Sequence, residues 1–532
     1  MTRPNRRDLL VSGLTAAGAI ALATSDSAVS AAAGTAHPAL GRRPRLANPF
    51  TLGVASGDPL PDSVVLWTRL APDPTAAGGL GGMPNQNTTV EWELATDQRF
   101  TKVAARGSTV TRPVIGHSVH VEPAGLAPGT EYFYRFRAAG HLSPVGRTRT
   151  APAAGTLPAA LTMSFASCAH FEEGWYSVFR AMAADHPDLV LFLGDYLYEY
   201  PTGHSRVPIV RRYLGPAKGA HHLASYRRRY AQHRTDPDLR AAHAAAPWLV
   251  VLDDHELENN WAGSHPGLKG ETAAQFKVRK TAAFQAYYEN MPLRRSSLPR
   301  GAAMSLHRRY SWGNLARFHL LDTRQFRDDQ ACGGGWQTDC RASHARNRTI
   351  TGAVQERWLL DGLAKAGPVW DLIGQQVFFA QRDNDLRAKH HSTSTDSWDG
   401  YTASRDRITR GWVERKVRNP VVLTGDVHRH WVADLKTNYD DPRGKPVGTE
   451  LVTTSVTSSG DGDEGRQSAD YLRHNPHIRY YRNRRGYVRT RIEPGRLTAD
   501  MRIVPKVTDR NAKAVTDRTF VVEDGRPGAR PA

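Results

Sequence analysis

The stretch Leu189-Val190-Leu191-Phe192-Leu193-Gly194-Asp195-Tyr196-Leu197-Tyr198 predicts both the fold class and the position of the chemistry. Five apolar residues followed at once by glycine indicate a strand that is buried on both faces and ends in a turn. Such a strand delivers the carboxylate of Asp195 and the phenol of Tyr198 to its carboxyl end. A carboxylate can bridge two cations, and a phenolate favours a hard trivalent ion such as ferric iron. The alternative is a strand end followed by two packed tyrosines without a metal site. The other segments of the chain distinguish these two interpretations.

Three more apolar runs, residues 161–167, 248–252 and 420–424, are also followed by side chains that can bind metals. All of these side chains come shortly after the end of a predicted strand. They are Cys168, His170, Asp253, Asp254, His255, Glu256, Asn259, Asn260, Asp426 and His428. Residues at the carboxyl ends of parallel strands meet at one edge of a sheet. Turn and capping residues explain a single strand end of this kind, but four of them favour a shared site.

One group of these side chains suits ferric iron. The thiolate of Cys168 and the phenolate of Tyr198 make a pocket rich in anionic donors, and the imidazole of His428 can bind either kind of metal. Asp195 is expected to bridge this ion and a second one. The sequence therefore predicts Fe³⁺ on this side of the site.

A second group offers oxygen atoms to a harder divalent ion such as Ca²⁺: Asp254, Asp426 and Asn260. His255 is better placed to donate hydrogen bonds to a ligand or to the transition state, so Asp195 and His255 are the predicted catalytic residues. Two cations about 3.5–4 Å apart can activate water, neutralise phosphate oxygens and help the leaving group. Hydrolysis of a phosphate ester by metal-activated water is the reaction that this set predicts.

Length and charge set the broad class. A chain of 532 residues exceeds what one hydrophobic core usually supports, so two domains are expected. Lysine and arginine outnumber acidic residues by 71 − 52 = 19, a charge that concentrates anionic esters near the protein but is screened by salt. The arginines are scattered, with clusters at 227–229 and 482–485. This pattern favours a solvated basic surface and no specific nucleic-acid partner.

Residues 47–150 are predicted to form an N-terminal β-sandwich, because short apolar runs alternate there with Pro, Gly and Asp turns. The stretch Leu126-Ala127-Pro128-Gly129-Thr130, followed by Tyr132, Tyr134 and Phe136, resembles the late strands of immunoglobulin and fibronectin type III-like domains. No residue in this segment points to catalysis.

From residue 158 to 505 strands and helices alternate, which predicts an α/β catalytic domain. The strands are expected at 161–167, 189–193, 248–252, 316–321, 372–380, 420–424 and 450–455. Helices are expected at 175–184 and 272–290, the second with Phe276, Lys280, Phe284 and Tyr287 on its core face. Residues 506–532 are predicted to be an edge strand and a loose tail.

The N-terminus has the order of an export signal. Asn5-Arg6-Arg7-Asp8-Leu9-Leu10 precedes an uncharged stretch at 11–25 and small residues suited to cleavage between about 30 and 36. Residues 1–35 are therefore predicted to be a twin-arginine signal peptide, read by the twin-arginine export machinery, and the protein to be secreted. The uncharged stretch is too short for a stable membrane span.

The three cysteines fall into two positions. Cys332 and Cys340 enclose a short Gly-rich loop and can form a disulfide outside the cell. Cys168 is then left over, either as an inert buried thiol or as a ligand or nucleophile.

Several segments in order resemble the alkaline phosphatase D (PhoD-like) family. The resemblance runs from about residue 52 to 489 and rests on Leu52-Gly53-Val54-Ala55-Ser56-Gly57-Asp58-Pro59, Phe165-Ala166-Ser167-Cys168, Gly194-Asp195-Tyr196-Leu197-Tyr198-Glu199-Tyr200, Asp253-Asp254-His255-Glu256, Leu321-Asp322-Thr323-Arg324-Gln325-Phe326-Arg327, Gly374-Gln375-Gln376-Val377, Trp398-Asp399-Gly400-Tyr401 and Leu423-Thr424-Gly425-Asp426-Val427-His428.

This resemblance implies a metallophosphoesterase-like α/β sandwich, two mixed sheets flanked by helices, preceded by an all-β immunoglobulin or fibronectin III-like domain. It implies a secreted alkaline phosphatase and phosphodiesterase with Fe³⁺ and Ca²⁺ that acts on phosphate mono- and diesters. The ligands it implies are Cys168, Asp195, Tyr198 and His428 for iron, and Asp195, Asp254, Asn260 and Asp426 for calcium. Asn259 stays an alternative to Asp254 and Asn260.

Five residues near the predicted site leave a choice between structure and chemistry. Gln376 stands where many metallophosphoesterases have a histidine. His170 and His430 are additional histidines for the family pattern, and the more favoured interpretation of such a histidine is that it caps a turn. Arg324 and Arg327 either clamp substrate oxygens or form structural ion pairs.

Two other functions compete with phosphate scavenging. One is a phosphodiesterase of the phospholipase D type within the same family. The other is a secreted protein that holds an anionic wall polymer through its β-sandwich and basic charge, with an inactive metal site. Intact Cys168, Asp195, Tyr198, Asp254 and His428 argue against this last reading.

Overall fold

The strand predicted at 189–193 is present with those bounds and lies inside a ten-stranded sheet. A computed structural model describes residues 46–214, 219–385, 390–441, 443–465 and 468–532. The predicted signal peptide, residues 1–35, lies outside these ranges. No helix within them is both long enough and apolar enough to cross a membrane.

In chain order the strands are β1 (Val54–Gly57), β2 (Val65–Arg69), β3 (Thr88–Ala95), β4 (Val103–Thr111), β5 (Ser118–Val121), β6 (Glu131–Ala138), β7 (His141–Leu142), β8 (Gly146–Arg149), β9 (Leu161–Ala166), β10 (Leu189–Leu193), β11 (Pro247–Val251), β12 (Arg308–Trp312), β13 (Ala316–Leu320), β14 (Trp336–Thr338), β15 (Trp370–Gly374), β16 (Ser392–Ser394), β17 (Pro420–Thr424), β18 (His430–Leu435), β19 (Gly448–Val452), β20 (Ile478–Arg482), β21 (Arg485–Glu493), β22 (Arg496–Val504), β23 (Val515–Glu523) and β24 (Arg526–Pro531).

The α-helices are α1 (Ser177–Ala184), α2 (Leu223–Arg234), α3 (Pro237–Ala245), α4 (Ala273–Asn290), α5 (Gly352–Leu363), α6 (Thr402–Glu414) and α7 (Ser468–His474). Short 3-10 helices lie at Pro113–Ile115, Phe171–Glu173, Arg295–Ser297, Ala331–Gly333, Arg341–His344 and Trp398–Tyr401.

Two mixed sheets carry the candidate site. The first has the order β24-β23-β22-β21-β9-β10-β11-β1-β2-β5, and the second has the order β12-β13-β15-β17-β19-β18-β20. In the first sheet β9, β10 and β11 run parallel, and in the second β13, β15, β17 and β19 do. The carboxyl ends of each parallel set therefore lie along one edge of a sheet.

The two faces of β10 show how the layers are arranged. Leu189, Leu191 and Leu193 pack into a core shared with strands of the second sheet. Val190 and Phe192 point the other way, into a core shared with helices α1 to α4. Helices α5 and α6 cover the far side of the second sheet. This alternation explains the continuous apolar run, because a strand buried on both faces needs apolar side chains at every position.

The region predicted to form an N-terminal β-sandwich, residues 47–150, contains strands β1 to β8. Strands β3, β4, β6, β7 and β8 form a five-stranded sheet that shares a core with β1, β2 and β5. However, β1 also pairs in parallel with β11, with Ser56 opposite Pro247. One layer of the N-terminal sandwich is therefore a continuation of the large sheet.

Two further predicted segments are corrected. Residues 506–532 are not a loose tail, because β23 and β24 extend the large sheet and bury Phe520, Val522 and Ala529. The strand predicted at 372–380 ends at Gly374. Beyond it, the Glu450 carboxylate accepts hydrogen bonds from the backbone of Phe379 and Ala380, both at 2.8 Å, and holds the chain away from the sheet.

The predicted core face of the long helix is confirmed, since Phe276, Lys280, Phe284 and Tyr287 on α4 are all buried. The arginine cluster at 227–229 was predicted to be solvated, but it lies on α2 with Arg227 and Arg229 buried. Arg227 is paired with Glu289 of α4 at 2.6 Å, so part of the basic charge lies in the interior.

Candidate metal centre

Four strand ends converge on one carboxylate. Ligand atoms of Cys168, Asp195 and His428 lie within 4.8 Å of one another, and so do ligand atoms of Asp195, Asp254 and His255. Asp195 therefore belongs to both groups. These residues follow β9, β10, β17 and β11, so the predicted convergence of the four strand ends is what the structure shows.

The backbone at these strand ends adopts a conformation that non-glycine residues rarely use. Cys168, Asp195, Asp426 and His428 have φ angles of 61°, 55°, 63° and 54°. Such left-handed conformations cost roughly 1–3 kcal/mol each in strained cases and cluster at functional sites. Four residues with this conformation lie close together at these strand ends, which is typical of a functional site.

Gly194 allows the ends of β10 and β11 to approach. A Cβ atom at Gly194 would lie 2.5 Å from the Cβ of Asp253, and its φ is +97°. The buried carboxylate of Glu256 then ties the two ends together, because it accepts hydrogen bonds from the backbone of Asp195 at 3.1 Å, Tyr196 at 2.6 Å and Asp253 at 2.8 Å.

The side predicted to hold iron is a compact network around the Tyr198 hydroxyl. This hydroxyl donates to Oδ2 of Asp195 at 3.0 Å and lies 3.1 Å from Nε2 of His428. The hydroxyl of Ser458 donates to Tyr198 at 2.8 Å, and Nδ1 of His428 lies 2.9 Å from Oγ of Ser459. Tyr198 thus sits between two of the other predicted ligands.

Proton affinities on this side fit a cation site. Burial, followed by the charge of Asp195, raises the pKa of both the Cys168 thiol and the Tyr198 phenol. Burial and the nearby Arg485 lower the pKa of His428 to about 3, so its imidazole is neutral and able to ligate. A thiolate and a phenolate become favourable here when a multivalent cation replaces their protons.

The side predicted to hold calcium is built around Asp254. The backbone N–H of Asn260 donates to Oδ2 of Asp254 at 2.7 Å. Oδ1 of Asp254 and Oδ2 of Asp253 are buried, and neither accepts a hydrogen bond from any residue within the described ranges. Buried carboxylate oxygens without a donor are costly unless a cation meets them, so this donor set fits a hard divalent ion.

Two other oxygen candidates, Asp426 and Asn260, are half-buried. Among the described acidic residues, Asp426 lies outside the two tight ligand groups. Burial and the charges of Asp253 and Asp396 raise the pKa of Asp426. Asn259 donates its backbone N–H to Oε1 of Glu199 at 2.8 Å. Of these residues, Asp254 has a buried carboxylate oxygen that accepts no hydrogen bond from a described residue.

His255 is held as a hydrogen-bond donor. Its Nδ1 lies 2.8 Å from Oε2 of Glu199, and its backbone N–H donates to Oδ1 of Asp195 at 3.3 Å. Burial alone would lower the pKa of His255, but the charges of Asp254, Glu199 and Asp195 outweigh it and raise that pKa well above the usual value. These acidic neighbours therefore favour the protonated form of the ring.

Arg324 and Arg327 form structural ion pairs. Nε of Arg324 lies 2.5 Å from Oδ1 of Asp253, and its Nη1 lies 2.8 Å from Oδ1 of Asp396. Arg327 reaches the same Asp396 oxygen at 2.7 Å. Burial would raise the pKa of Asp254, but Arg324, whose Nη2 lies 3.6 Å away, and His255 together hold it below its usual range. Arg324 thus offsets part of the negative charge of Asp253 and Asp254, and Arg327 pairs with Asp396.

The remaining unassigned residues have structural roles. His170 caps a 3-10 helix as predicted, since its Nδ1 accepts from the backbone of Glu172 at 3.3 Å. His430 is buried in β18, where its Nε2 lies 3.1 Å from the carbonyl oxygen of Arg502. Gln376 accepts from the Thr323 hydroxyl at 2.6 Å.

Cys332 and Cys340 form a disulfide, whereas Cys168 is buried and unpaired with another cysteine. The thiol of Cys168 donates to Oγ of Ser167 at 3.2 Å. Its position among Asp195 and His428 favours the ligand role over that of an inert buried thiol.

Sequence reasoning missed four residues that shape the site: Glu199, Asp396, Ser458 and Ser459. Glu199 lies within a quoted motif, and its acidic side chain one residue after Tyr198 is a signal in the sequence. The serines follow the predicted strand at 450–455, and serine after a strand is a common turn residue that gives no distinctive signal. Asp396 has no local signal, because its partners lie 69 and 72 residues away.

Comparisons with known proteins identify the family of this chain. Residues 163–501 match the family model of the PhoD-like phosphatase, and residues 34–152 match that of the PhoD-like phosphatase N-terminal domain. The chain therefore belongs to the PhoD-like phosphatase family and is a phosphoric ester hydrolase. The resemblance drawn from the sequence is confirmed.

Two relatives define its place within that family. The chain is 46% identical over 485 residues to alkaline phosphatase D of Bacillus subtilis (strain 168). This alignment covers 91% of this chain and 82% of that protein. A solved structure described as the structure of PhoD superimposes with a TM-score of 0.88 at 45% identity and covers 91% of this chain and 92% of that one.

Removing the Arg324 guanidinium tests the balance of charge in the cluster. Arg324→Met should lower the free energy of unfolding by about 3–5 kcal/mol, because it leaves buried carboxylates without their cation. Urea unfolding followed by circular dichroism measures the change.

Arg410→Met is the matched control, since Arg410 forms an exposed pair with Asp406 at 3.5 Å on α6. Its cost should stay within about 1 kcal/mol. Equal costs for the two variants would contradict the assigned role of Arg324.

Proposed function

We propose that this protein is a secreted alkaline phosphatase and phosphodiesterase that hydrolyses phosphate esters at a dinuclear iron and calcium site and serves phosphate scavenging. The observation that carries this proposal is the shared position of Asp195, which belongs to both tight ligand groups. One carboxylate common to two groups suits a bridge between two cations.

The residues divide by donor chemistry. Fe³⁺ would be held by Cys168, Asp195, Tyr198 and His428. Ca²⁺ would be held by Asp195, Asp254, Asn260 and Asp426. Anionic sulfur and phenol donors suit a trivalent ion and oxygen donors suit calcium. When bound, the two cations supply Lewis-acid activation of water and neutralise charge on the phosphate.

His255 contributes the hydrogen-bond donor of the reaction. As an imidazolium fixed by Glu199, it offers Nε2–H to a phosphate oxygen, where negative charge increases in the transition state. Glu256 keeps the backbone of Asp195 and Asp253 in place, so the acidic groups are positioned before substrate arrives. No protein side chain has to be phosphorylated in this mechanism.

The fold supports the finer class that the resemblance implies. Two face-to-face sheets with helices outside, and ligands at strand ends, are what a metallophosphoesterase-like sandwich requires. For the N-terminal region an immunoglobulin or fibronectin III-like identity is supported by Tyr132, whose hydroxyl accepts from the backbone of Ala127 at 2.9 Å. A tyrosine bonded to the chain a few residues upstream is a feature of such domains.

Secretion through the twin-arginine pathway is part of the proposal and rests on residues 1–35. Arg6→Lys with Arg7→Lys should retain the protein inside the cell, as measured by immunoblotting of the culture medium and cell fraction. Arg42→Lys with Arg43→Lys is the matched control beyond the expected cleavage region. Normal export of the first variant would contradict this route.

The iron ligands are tested by changing the phenol and the thiol. Tyr198→Phe and Cys168→Ala should each lower iron content and reduce kcat/KM by more than about 100-fold, since even outer-shell changes cost 10–100-fold. Elemental analysis, visible absorbance and turnover of an aryl phosphate are measured on protein exported by the native host.

Tyr200→Phe is the control, because the Tyr200 ring lies 6.2 Å from that of Tyr198. Only the Tyr198 hydroxyl of the two contacts Asp195 and His428 among the described residues. It should keep the iron and the visible absorbance. Full iron content with unchanged turnover in Cys168→Ala would refute the iron assignment.

Substrate class is tested by turnover of an aryl phosphomonoester, an aryl phosphodiester and a choline phospholipid. We expect turnover of both aryl esters, and calcium chelation should abolish each activity because Asp254 needs its cation. Turnover of the phospholipid alone would replace the proposal with the phospholipase D-type function. Activity that survives removal of calcium would refute the calcium assignment.

A further inference from the structure

We propose that Arg382 and Arg429 form a subsite beside the metal centre that binds a second phosphate group of the substrate. The subsite rests on the proposed function, since it acts on esters that are hydrolysed at that centre. Its ligand class is a phosphate ester that carries another phosphate on the same molecule.

Arg382 is a buried cation without an anionic partner. It is 7% exposed, and its guanidinium lies over aromatic rings, 4.7 Å from the ring centre of Phe378, 4.9 Å from that of Trp336 and 5.5 Å from that of Trp431. Within the described ranges, no carboxylate pairs with this guanidinium and no acceptor takes a hydrogen bond from it.

Burying a charge is costly unless it is paired, and contacts with ring faces offset only part of that cost. The nearest acidic groups are used elsewhere. Asp399 accepts the backbone N–H of Arg382 at 3.0 Å, and its other oxygen accepts from Arg405 at 2.7 Å. Asp426 also attracts Arg382 electrostatically and is assigned to calcium. The donors of Arg382 therefore remain available to a ligand.

Arg429 brings a second positive charge close enough to act on Arg382. It directly follows the predicted ligand His428 and precedes β18, which carries Trp431. Arg429 is exposed and has neither an ion pair nor a hydrogen bond to any residue in the described part of the chain. Its charge repels that of Arg382 and lowers the pKa of that residue. Two neighbouring guanidinium groups without a carboxylate favour an anion between them.

Aromatic side chains line the subsite next to these cations. Trp336 is 46% exposed and lies in the loop closed by the Cys332–Cys340 disulfide. Trp431 packs against Tyr481 with ring centres 4.4 Å apart. The exposed indole of Trp336 offers an apolar surface for the organic group that joins two phosphates, while the arginines meet the second phosphate.

The location relative to the metal centre follows from chain connectivity. Arg429 is one residue from His428 and three from Asp426, and both are predicted metal ligands. A substrate whose scissile phosphate lies at these ligands can therefore extend another phosphate to Arg429 and Arg382. Specificity for such substrates would come from the subsite and not from the metals.

The experiment compares two nitrophenyl esters that differ by one phosphate: thymidine 5′-(4-nitrophenyl phosphate) with and without a 3′-phosphate. The wild-type holoenzyme should show a higher kcat/KM for the 3′-phosphorylated ester, by roughly tenfold or more for a charge-assisted contact. The difference should appear in KM, and nitrophenol release reports both reactions.

Arg382→Met and Arg429→Gln should each bring the ratio of the two kcat/KM values towards one. Arg429 is exposed, so its variant keeps the fold even where Arg382→Met does not. Arg496→Gln is the control for net charge, because Arg496 begins β22 and pairs with Glu493 at 3.3 Å. Arg496 lies opposite Glu493 at the end of β21, and this end of β21 pairs with the first residues of β9. The predicted ligand Cys168 follows the opposite end of β9. This control should retain the full preference.

Three outcomes overturn the subsite. If the wild type shows no preference, or both variants keep it, the second phosphate does not bind these arginines, whereas the proposed function stands. If neither ester is hydrolysed by metal-replete protein, the proposed function fails and the subsite fails with it.

Discussion

The concentration of negative charge where the strand ends meet is the constraint on which the rest of this structure depends. Asp195, Asp253, Asp254 and Asp426 approach one another in a largely buried region, and burial raises the pKa of three of them. Protein cations offset part of this repulsion, chiefly Arg324. Within the described residues, Oδ2 of Asp253 and Oδ1 of Asp254 are buried and accept no hydrogen bond, so these oxygens suit a cation. Stability and function thus draw on the same carboxylates.

The surrounding scaffold keeps this unfavourable arrangement in place. Strands buried on both faces supply apolar packing on each side, and the loops that follow them accept left-handed backbone at residues such as Asp195 and Asp426. Glu256 compensates by gathering three backbone N–H groups. Packing of the neighbouring strands and helices therefore offsets the backbone strain and the repulsion between carboxylates. The predicted ligands are in position before any metal or substrate binds.

The sequence was sufficient where the physics is local. The apolar run at 189–193 fixed a strand, and glycine after it fixed a turn, so Asp195 and its neighbours could be placed at one sheet edge. Helix α2 was missed because its sequence, LASYRRRYAQHR, lacks an apolar stripe: its buried face contains Tyr226, Arg227 and Arg229. Long-range ion pairs such as Arg324 with Asp396, and the pairing of β1 with β11, depend on the assembled fold and leave no local pattern.

Buried arginines in this chain have two kinds of surroundings, and the presence or absence of a carboxylate partner distinguishes them. Arg324 and Arg227 are buried with carboxylates, so each is explained by the interior that it neutralises. Arg382 is equally buried but meets only ring faces, and Arg429 beside it has no partner within the described residues. Net charge cannot make this distinction, since every arginine counts the same. In the proposed subsite, the second phosphate of the substrate supplies the negative charge that no described carboxylate gives to Arg382 through an ion pair.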